Sequence, residues 1–211
     1  MSTRTKGSAR RRVGRPGDGE DVRGAILAAA LRQLGATGSV DRVTVAAIVD
    51  EAGCTPPSLY HYWPTRDLLL KEASAQGWAQ FRAGQGNAVS DEFGPVERLR
   101  LRGRAYLDFA LAEPALFRVL FLDGPAAGPI EPPVEIGNAL RDLVADVTAA
   151  MESSTLRAAD PLTPALAWWS AMHGVAPLRA VHTIRPTDLA HRVGDLAQHA
   201  VLHGRAPCAC S

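Results

Sequence analysis

The sequence predicts an all-α protein of about nine helices, and three observations support this fold class. Apolar residues recur with helical spacing in one segment after another, and Gly or Pro residues stand at the ends of those segments. No segment shows the strict apolar–polar alternation of a half-buried strand. Hydrophobic residues make up 46% of the 211-residue chain, which is enough to bury a sizeable core.

The composition argues against several classes of protein. No apolar run approaches the roughly 20 residues that span a bilayer, and the basic N-terminus lacks the apolar stretch of a signal peptide. A membrane-surface helix would be rich in lysine, whereas the chain has only Lys6 and Lys71. Three cysteines are too few for a disulfide scaffold. We therefore expect a cytoplasmic protein with no membrane partner.

The charge of the chain is unevenly distributed. Residues 1–17 contain six basic and no acidic side chains, which leaves 17 basic and 22 acidic residues for the remainder. A cationic arm beside a mildly acidic body indicates a polyanionic partner that is contacted at one end. A solubilising tail would have the same composition, so the arm alone does not decide between these interpretations.

Helical periodicity begins at Asp21, and Gly35 and Gly38 are expected to end the first helix. Thr44 is a suitable N-cap for the second helix, and Gly53 is a suitable left-handed residue to end it.

Thr55 caps the third helix, whose first turn tolerates Pro56 and Pro57 because amides there have no intrahelical partner. Pro57 also disfavours helical geometry at Pro56, so this helix is expected to start late. It ends near Trp63, because Pro64 breaks it.

The later helices follow from the same spacing. A long helix is predicted from about Arg66 towards Ala83, opened by Pro64 or Thr65, with a loop over 84–94. Further helices are predicted around 99–111, over 114–121, around 136–151, from Asp160 or Thr163 onward, and around 189–201, with a loop at 123–133. The helix that contains Trp168 and Trp169 is apolar on nearly all sides, so we expect it to be buried all round.

Two short helices joined by a glycine-containing turn form a helix-turn-helix, in which the second helix enters the DNA major groove. The segment TVAAIVDEAGCTPPSLYHYW at 44–63 has this layout, with an apolar interior that includes Cys54. Together with ILAAALRQLGATG at 26–38 and TPPSLYHYWPTRDLLL at 55–70, it resembles the DNA-binding domain of the TetR family of transcriptional regulators. Three positions depart from the family pattern: Leu34 stands where the family often has Phe, Tyr62 where His is frequent, and Trp63 where Phe is frequent. The replacements keep apolar bulk and a polar tip.

The resemblance implies a homodimer that binds double-stranded DNA at a palindromic operator. It implies phosphate contacts from Thr44, Thr55, Tyr62 and Arg66, and groove contacts from Pro57, Ser58, Tyr60 and His61. The two threonines could act only as caps, Tyr60 could lie in the core, and His61 could contact nothing. Arg15, between Gly14 and Pro16, fits a narrow minor groove or nonspecific phosphate attraction.

A second resemblance lies in WWSAMHGVAPL at 168–178 and PALFRVLF at 114–121. These segments are similar to a TetR subgroup with a Trp-x-x-x-His-Gly motif, here Trp169, His173 and Gly174. The resemblance implies a pocket for a small-molecule effector, although a plain helical core would use the same residues. The candidate lining residues are Trp78, Phe81, Tyr106, Phe109, Phe117, Phe121, Trp168, Trp169, Met172 and His173.

A fixed distance between two recognition helices requires a stable dimer. The candidate interface residues are Gly174, Leu189, Val193, Leu196 and Ala200.

We divide the chain into a disordered basic arm (1–19), a helix-turn-helix DNA-binding domain (20–66), a ligand-binding and dimerisation domain (67–204) and a tail (205–211). A repressor that a ligand releases from its operator is the favoured function; a regulator that is constitutive or controlled by protein contact is the alternative.

An enzyme is the more distant alternative. No Gly-rich phosphate loop, nucleophile elbow or metal-ligand cluster is evident, so we predict no catalytic residues, no cofactor and no metal site. His191, His199 and His203 fall near helical spacing and are interpreted as solvated side chains. Cys208 and Cys210 form a C-x-C pair in a tail that is expected to be disordered, and no role is assigned to them.

Overall fold

The computed structural model describes residues 18–122, 134–158, 160–180 and 187–203. These residues form nine α-helices, one 3-10 helix and no strand, so the all-α prediction is confirmed for this part of the chain. The α-helices are α1 (Asp18–Thr37), α2 (Val45–Ala52), α3 (Pro56–Tyr62), α4 (Arg66–Asn87), α5 (Pro95–Ala112), α6 (Pro114–Phe121), α7 (Val134–Glu152), α8 (Leu162–Ala180) and α9 (Thr187–His203). The 3-10 helix, Val40–Arg42, lies between α1 and α2.

The caps that define the helix-turn-helix are formed as their residue types predict. The Thr44 hydroxyl accepts a hydrogen bond from the Ala47 amide at 3.2 Å, which satisfies one of the free donors at the start of α2. Gly53 ends α2 with a φ of 66°, a left-handed conformation that costs glycine little. The Thr65 hydroxyl caps α4 in the same way through the Leu68 amide.

Three predicted boundaries differ from the structure. α1 begins at Asp18 and continues through Gly35 to Thr37, with Gly38 taking the left-handed conformation beyond its end. α3 begins at Pro56 without a delay. α4 continues to Asn87, because Gln85 is buried there and donates from Nε2 to the Arg102 carbonyl at 3.2 Å. Tertiary contacts thus extend α4 through a glycine-containing stretch that was predicted to be a loop.

The half of the fold that contains the helix-turn-helix packs around a small apolar core. Ile26 and Leu34 on α1, Ile48 on α2 and Leu59 on α3 have no exposed surface. Cys54 and Val45 are half-buried at the edge of this core. α1 also packs against α4 and α6, which connects the core to the rest of the molecule.

In the other half, α5 lies at the centre and packs against α4, α7, α8 and α9. The expectation that α8 is buried all round is wrong, because Leu162, Leu166 and Leu178 are each more than 40% exposed. Trp168 and Met172 occupy the buried face of α8. The described residues therefore leave one apolar side of α8 uncovered. None of the described helices has the combination of length and apolar character that a membrane span requires.

Two glycines allow α5 and α9 to approach closely. A Cβ added at Gly103 would lie 2.3 Å from Nε2 of Gln198, and one added at Gly194 would lie 2.6 Å from Cδ1 of Leu107. Gln198 is 2% exposed, so its amide has little room to move aside. The sequence analysis did not identify these two glycines.

We expect Gly103→Ala to lower the free energy of unfolding by about 1–3 kcal/mol, because the added methyl group overpacks a closed contact. Gly84→Ala is the matched control, since a Cβ at Gly84 meets nothing within 4 Å. It should stabilise the protein by about 0.5–1 kcal/mol, the usual advantage of alanine over glycine inside a helix. Urea unfolding of both variants measures the difference. Equal stability of the two would contradict the close approach of α5 and α9.

Candidate nucleic-acid interface and effector pocket

The start of α3 presents a short polar surface. The Thr55 and Ser58 hydroxyl oxygens are 3.0 Å apart and share a hydrogen bond, while the Thr55 side chain makes no capping bond to the backbone. Thr55 and Pro57 are exposed, and Ser58 is half-buried. The predicted N-cap position of Thr55 is confirmed, but its hydroxyl is left at the surface.

The rest of the predicted reading surface is also accessible. Tyr60 is 47% exposed, so it does not lie in the core. His61 and Thr44 are exposed, and Tyr62 is half-buried with its ring against those of His61 and Trp63. The structure thus brings Thr44, Thr55, Pro57, Ser58, Tyr60 and His61 to the surface of the helix-turn-helix. Whether they contact DNA stays a prediction.

Positive charge is scarce on α2 and α3, the two helices of the helix-turn-helix. The sequence from Val45 to Tyr62 contains no lysine or arginine but does contain Asp50 and Glu51. Glu51 is held by Arg32 and Gln33 of α1, and the hydrogen bond from Gln33 is the first cause that lowers the pKa of Glu51 below its ordinary value. The basic arm contains the largest cluster of positive charge in the sequence, but Arg15 lies outside the described residues.

Arg66 is turned towards its own domain. Its Nε donates to the Val43 carbonyl at 2.7 Å, Nη2 donates to the Val40 carbonyl, and Nη1 pairs with Asp67 at 3.1 Å. A phosphate contact would have to compete with these bonds, so the predicted role of Arg66 on DNA stays a prediction. In the structure, Arg66 joins the start of α4 to the segment that precedes α2.

A second junction, which we call the Glu72 clamp, consists of Glu72, Arg23 and Trp63. Oε1 of Glu72 accepts from Nη2 of Arg23 at 2.6 Å, and Oε2 accepts from Nε1 of Trp63 at 2.7 Å. The Arg23 guanidinium also lies 4.9 Å above the Trp63 ring, within range of a cation–π interaction. One carboxylate on α4 therefore holds both α1 and the residue that ends α3. Sequence reasoning missed this clamp, because its members lie far apart in the chain.

Seven of the ten predicted pocket residues have rings that pack into one cluster. The Phe81 ring contacts those of Trp78, Tyr106, Phe109 and Phe121, and Phe117 stacks on Phe121 with centroids 4.5 Å apart. Most of these contacts are edge-to-face, which is the arrangement that aromatic rings favour. Met172 is fully buried elsewhere in the core, beside Gly194.

A small cavity lies at one side of this cluster. Its volume is about 20 Å³, which is enough for about one water molecule. Four predicted residues line it, and three further residues were not foreseen. The lining is formed by Phe81, Gln85, Tyr106, Ala139, Leu143, Trp168 and Trp169.

A chain of polar groups runs beside this cavity. The Tyr106 hydroxyl lies 2.8 Å from Nδ1 of His173 and also hydrogen-bonds to the Trp169 side chain. An indole N–H only donates, so the hydroxyl accepts from Trp169 and can donate its own proton to a neutral His173. Burial raises the pKa of Tyr106 and lowers the pKa of His173, which favours the neutral form of both groups.

Buried polar groups also link α8 to α9. Nε1 of Trp168 donates to Oε1 of Gln198 at 3.0 Å. Nε2 of Gln198 is buried and has no hydrogen-bond partner among the described residues. An unsatisfied buried donor is costly, so the close fit around Gly103 is maintained at some expense in stability.

The predicted interface residues of α8 and α9 differ in how far the described residues cover them. Leu196 is 70% exposed, Gly174 and Ala200 are exposed, and Leu189 and Val193 are half-buried. Among the described residues, no atom lies within 4 Å of a Cβ added at Gly174, so none of the described helices approaches it closely. Exposed leucines at positions 162, 166 and 178 share four-residue steps with Gly174 along α8. The result is an apolar face across two helices.

Comparison with known proteins identifies both halves of the chain. Residues 26–73 match the model of "Bacterial regulatory proteins, tetR family", and residues 99–203 match that of "Tetracyclin repressor-like, C-terminal domain". Together the two models cover more than two thirds of the chain. No curated protein matches the sequence.

Solved structures with the same fold share little sequence with the chain. A protein of unknown function from Rhodococcus sp. RHA1 has a TM-score of 0.73 at 24% identity, and a TetR-like transcriptional regulator from that organism has 0.64 at 18%. Each comparison covers 92% of this chain and 100% of the other. The transcriptional regulator FadR from Bacillus subtilis, in complex with stearoyl-CoA, has a TM-score of 0.71 at 14% identity, covering 87% and 100%.

We expect Glu72→Ala to lower the free energy of unfolding by about 1–3 kcal/mol, chiefly because the buried Trp63 indole loses its acceptor. Glu72→Gln should cost less, since an amide oxygen can still accept that bond and only the partly exposed ion pair with Arg23 is lost. Urea unfolding followed by Trp fluorescence gives both values. Glu92→Ala serves as the control, since no described residue pairs with the Glu92 side chain. Equal losses for the two Glu72 variants would contradict the role of the Trp63 bond.

Proposed function

The chain belongs to the TetR family of transcriptional regulators, and from this membership we propose that it is a homodimeric repressor that a small molecule releases from a palindromic operator. DNA binding by the helix-turn-helix follows from the family. We propose, in addition, that the protein represses transcription, that it binds an effector, that it forms a dimer, and that the residues below have the roles assigned to them. The observation that carries it is the position of α4, which lines the cavity at one end and holds the reading helices at the other.

The exposed polar side chains of the helix-turn-helix, which lie over its packed apolar core, support the assignment of the DNA-binding surface. We propose that Ser58, Tyr60 and His61, with Pro57, face the major groove, and that Thr44, Thr55, Tyr62 and Arg66 approach phosphates. Short hydroxyls and aromatic OH groups suit base edges and phosphate oxygens. Since Val45–Tyr62 lacks basic residues, we propose that the arm, including Arg15, supplies most of the attraction to DNA.

The uncovered apolar face supports a symmetric dimer. We propose that Gly174, Leu189, Val193, Leu196 and Ala200 meet their counterparts in a second copy. Such a four-helix contact would cover the exposed leucines of α8 and fix the distance between the two reading helices. Successive turns of the major groove require about 34–36 Å between them.

A mostly apolar cavity beside a few polar groups supports effector binding. We propose that the effector is a small, largely apolar molecule that enters between α4, α5, α7 and α8 and meets the Tyr106, Trp169 and His173 side chains. Trp169 and His173 of the Trp-x-x-x-His-Gly motif would thus contact the effector. One protein with this fold, FadR, was solved with stearoyl-CoA, so a bound small molecule is compatible with the architecture.

The proposed mechanism runs along α4. An effector must widen a cavity of about 20 Å³ and so displace Phe81 and Gln85. Arg66 and Glu72 lie on the same continuous helix and would move with it, together with α1 and α3. A changed separation of the two reading helices would then weaken operator binding.

The small volume of the cavity favours a second candidate, a regulator of the same family without a small-molecule inducer. Drug-sized ligands occupy pockets of roughly 300–1,000 Å³. A regulator that is constitutive or controlled by protein contact would keep this region as a closed core.

Selection of bound fragments from genomic DNA should return palindromes whose half-sites lie about 10–10.5 base pairs apart, or a multiple of that spacing. Tyr60→Ala should weaken binding to the selected operator by about 1–3 kcal/mol while leaving random DNA nearly unaffected. Removal of residues 2–16 should weaken binding to operator and to random DNA alike. It should also reduce the slope of log K against log salt concentration by about 0.9 for each phosphate that the arm no longer neutralises.

Asp91→Ala, in the loop before α5, is the control for the DNA measurements. Selected fragments without twofold symmetry would contradict the dimer. A Tyr60→Ala variant that binds operator and random DNA with equally reduced affinity would contradict a groove contact.

A thermal-shift screen of small apolar compounds should find ligands that raise the Tm and also release the operator. Ala139→Phe places a ring in the cavity that Ala139 lines. It should abolish both the rise in Tm and the release of the operator, without weakening operator binding. Ala83→Phe places the same ring at an exposed position of α4 and should respond as the unaltered protein does. Release that persists in Ala139→Phe would place the effector elsewhere. A broad library with no release would favour the second candidate.

A further inference from the structure

A mostly buried cluster of three charged side chains joins α5 to α7, and the mechanism described above does not use it. The two oxygens of the Asp146 carboxylate each accept one hydrogen bond, from Nε of Arg98 at 2.7 Å and from Nε of Arg102 at 2.5 Å. The Asp146 side chain is 8% exposed, and those of Arg98 and Arg102 are 19% and 12% exposed. Two guanidinium groups on α5 thus share one carboxylate on α7.

The cluster has more positive charge and more donors than this carboxylate can satisfy. Two guanidinium groups (+2) and one carboxylate (−1) leave a net charge of +1. Nη1 of Arg98 donates to the Phe93 carbonyl at 3.3 Å. Among the described residues, Nη2 of Arg98 and both terminal nitrogens of Arg102 have no hydrogen-bond partner. Because a buried charge is costly unless it is paired, a second anion would be stabilised at this position.

The neighbouring carboxylates of α5 and α7 do not supply the missing negative charge. Glu97 accepts hydrogen bonds from Nε and Nη2 of Arg100. Asp142, one turn before the clustered aspartate on α7, accepts from Arg82 of α4. A bound molecule is therefore the natural source of a second anion.

The cluster lies beside the cavity that the proposed effector enters. Tyr106, which lines the cavity, follows Arg102 by four residues on α5, and the lining residue Leu143 precedes Asp146 by three residues on α7. Residues with these spacings share one face of a helix. Gln85, which also lines the cavity, donates from Nε2 to the backbone carbonyl of Arg102 at 3.2 Å. The charged cluster is thus about one helical turn from the cavity wall along both α5 and α7.

The charge and the geometry of the cluster together indicate which chemical class of effector fits. The planar guanidinium group binds carboxylates through two parallel N–H···O bonds, and the aromatic rings beside the cavity fit a hydrocarbon. We propose that the effector is an amphipathic organic acid, whose carboxylate binds the terminal nitrogens of Arg98 and Arg102 and whose apolar part occupies the widened cavity. Two guanidinium groups then face two carboxylates, and the charges balance. Asp146 is a positioning residue that holds both guanidinium groups in place.

This inference rests on the proposed release by a small molecule, and it narrows the effector from apolar molecules in general to apolar acids. Pairs of compounds that share an apolar part test it on the unaltered full-length protein. A series of aryl and alkyl carboxylates from phenylacetate to decanoate is compared with the corresponding primary amides, by thermal shift and by operator release. Acids from the series should raise the Tm and release the operator, whereas their amides should need concentrations about tenfold higher or more, because they lack the charge.

Two substitutions in the cluster should change the preference for acids in opposite directions. Arg102→Gln removes one positive charge and should lower the ratio of acid to amide affinity by about tenfold. Asp146→Asn removes the carboxylate that repels the ligand, so it should raise this ratio several-fold. Isothermal titration calorimetry gives both affinities, and circular dichroism checks that each variant keeps its helical content. If Arg102→Gln does not fold, Asp146→Asn and the compound pairs still test the inference.

Arg104→Gln is the matched control on α5. Arg104 pairs with Asp195 of α9 at an exposed position, so its loss should leave the ratio of acid to amide affinity unchanged. If the cluster served only to join α5 to α7, substitutions in it would change the affinities for acid and amide equally.

A ratio that does not fall in Arg102→Gln, or does not rise in Asp146→Asn, would overturn the inference. Amides that release the operator at the same concentrations as their acids would do the same. Inactive acids together with release by neutral compounds from the broader screen would overturn the acid class and leave the ligand-released regulator intact. Release by no compound, acid or neutral, would contradict both.

Discussion

The carboxylate of Glu72 accepts hydrogen bonds from Arg23 of α1 and from Trp63 at the end of α3, so one side chain of α4 joins that helix to both. α4 has 22 residues and is therefore about 33 Å long. Its first turns hold the reading helices through Arg66 and Glu72, and its later turns form the cavity wall through Phe81.

The opposite end of α4 meets a core that is closed but contains polar groups. Aromatic rings interlock around Phe81 and leave a volume of about 20 Å³. The hydroxyl of Tyr106 is nevertheless placed between Trp169 and His173, and burial keeps the phenol and the imidazole neutral. Most buried polar groups in proteins are hydrogen-bonded, as the Tyr106 hydroxyl is here. The same groups would be available to orient a molecule that opened the cavity.

α8 and α9 each have an inner face that packs against the core and an outer face with exposed apolar residues. The inner face is packed so tightly that Gly103 and Gly194 leave no room for a Cβ, and the donor of Gln198 is left unsatisfied. The outer face exposes Leu196 and the leucines of α8, which a second copy would cover.

The amino-acid sequence by itself determined the helical fold class, the caps at Thr44 and Gly53, the helix-turn-helix and the family resemblance, because these depend on local chemistry and short spacing. Only the tertiary structure decided that α4 continues past Gly84 and that one side of α8 is exposed. It also revealed the Glu72 clamp, the inward turn of Arg66 and the small size of the cavity. Each of these arises from side chains that lie far apart in the sequence, and periodicity along one helix does not report which other helix it meets.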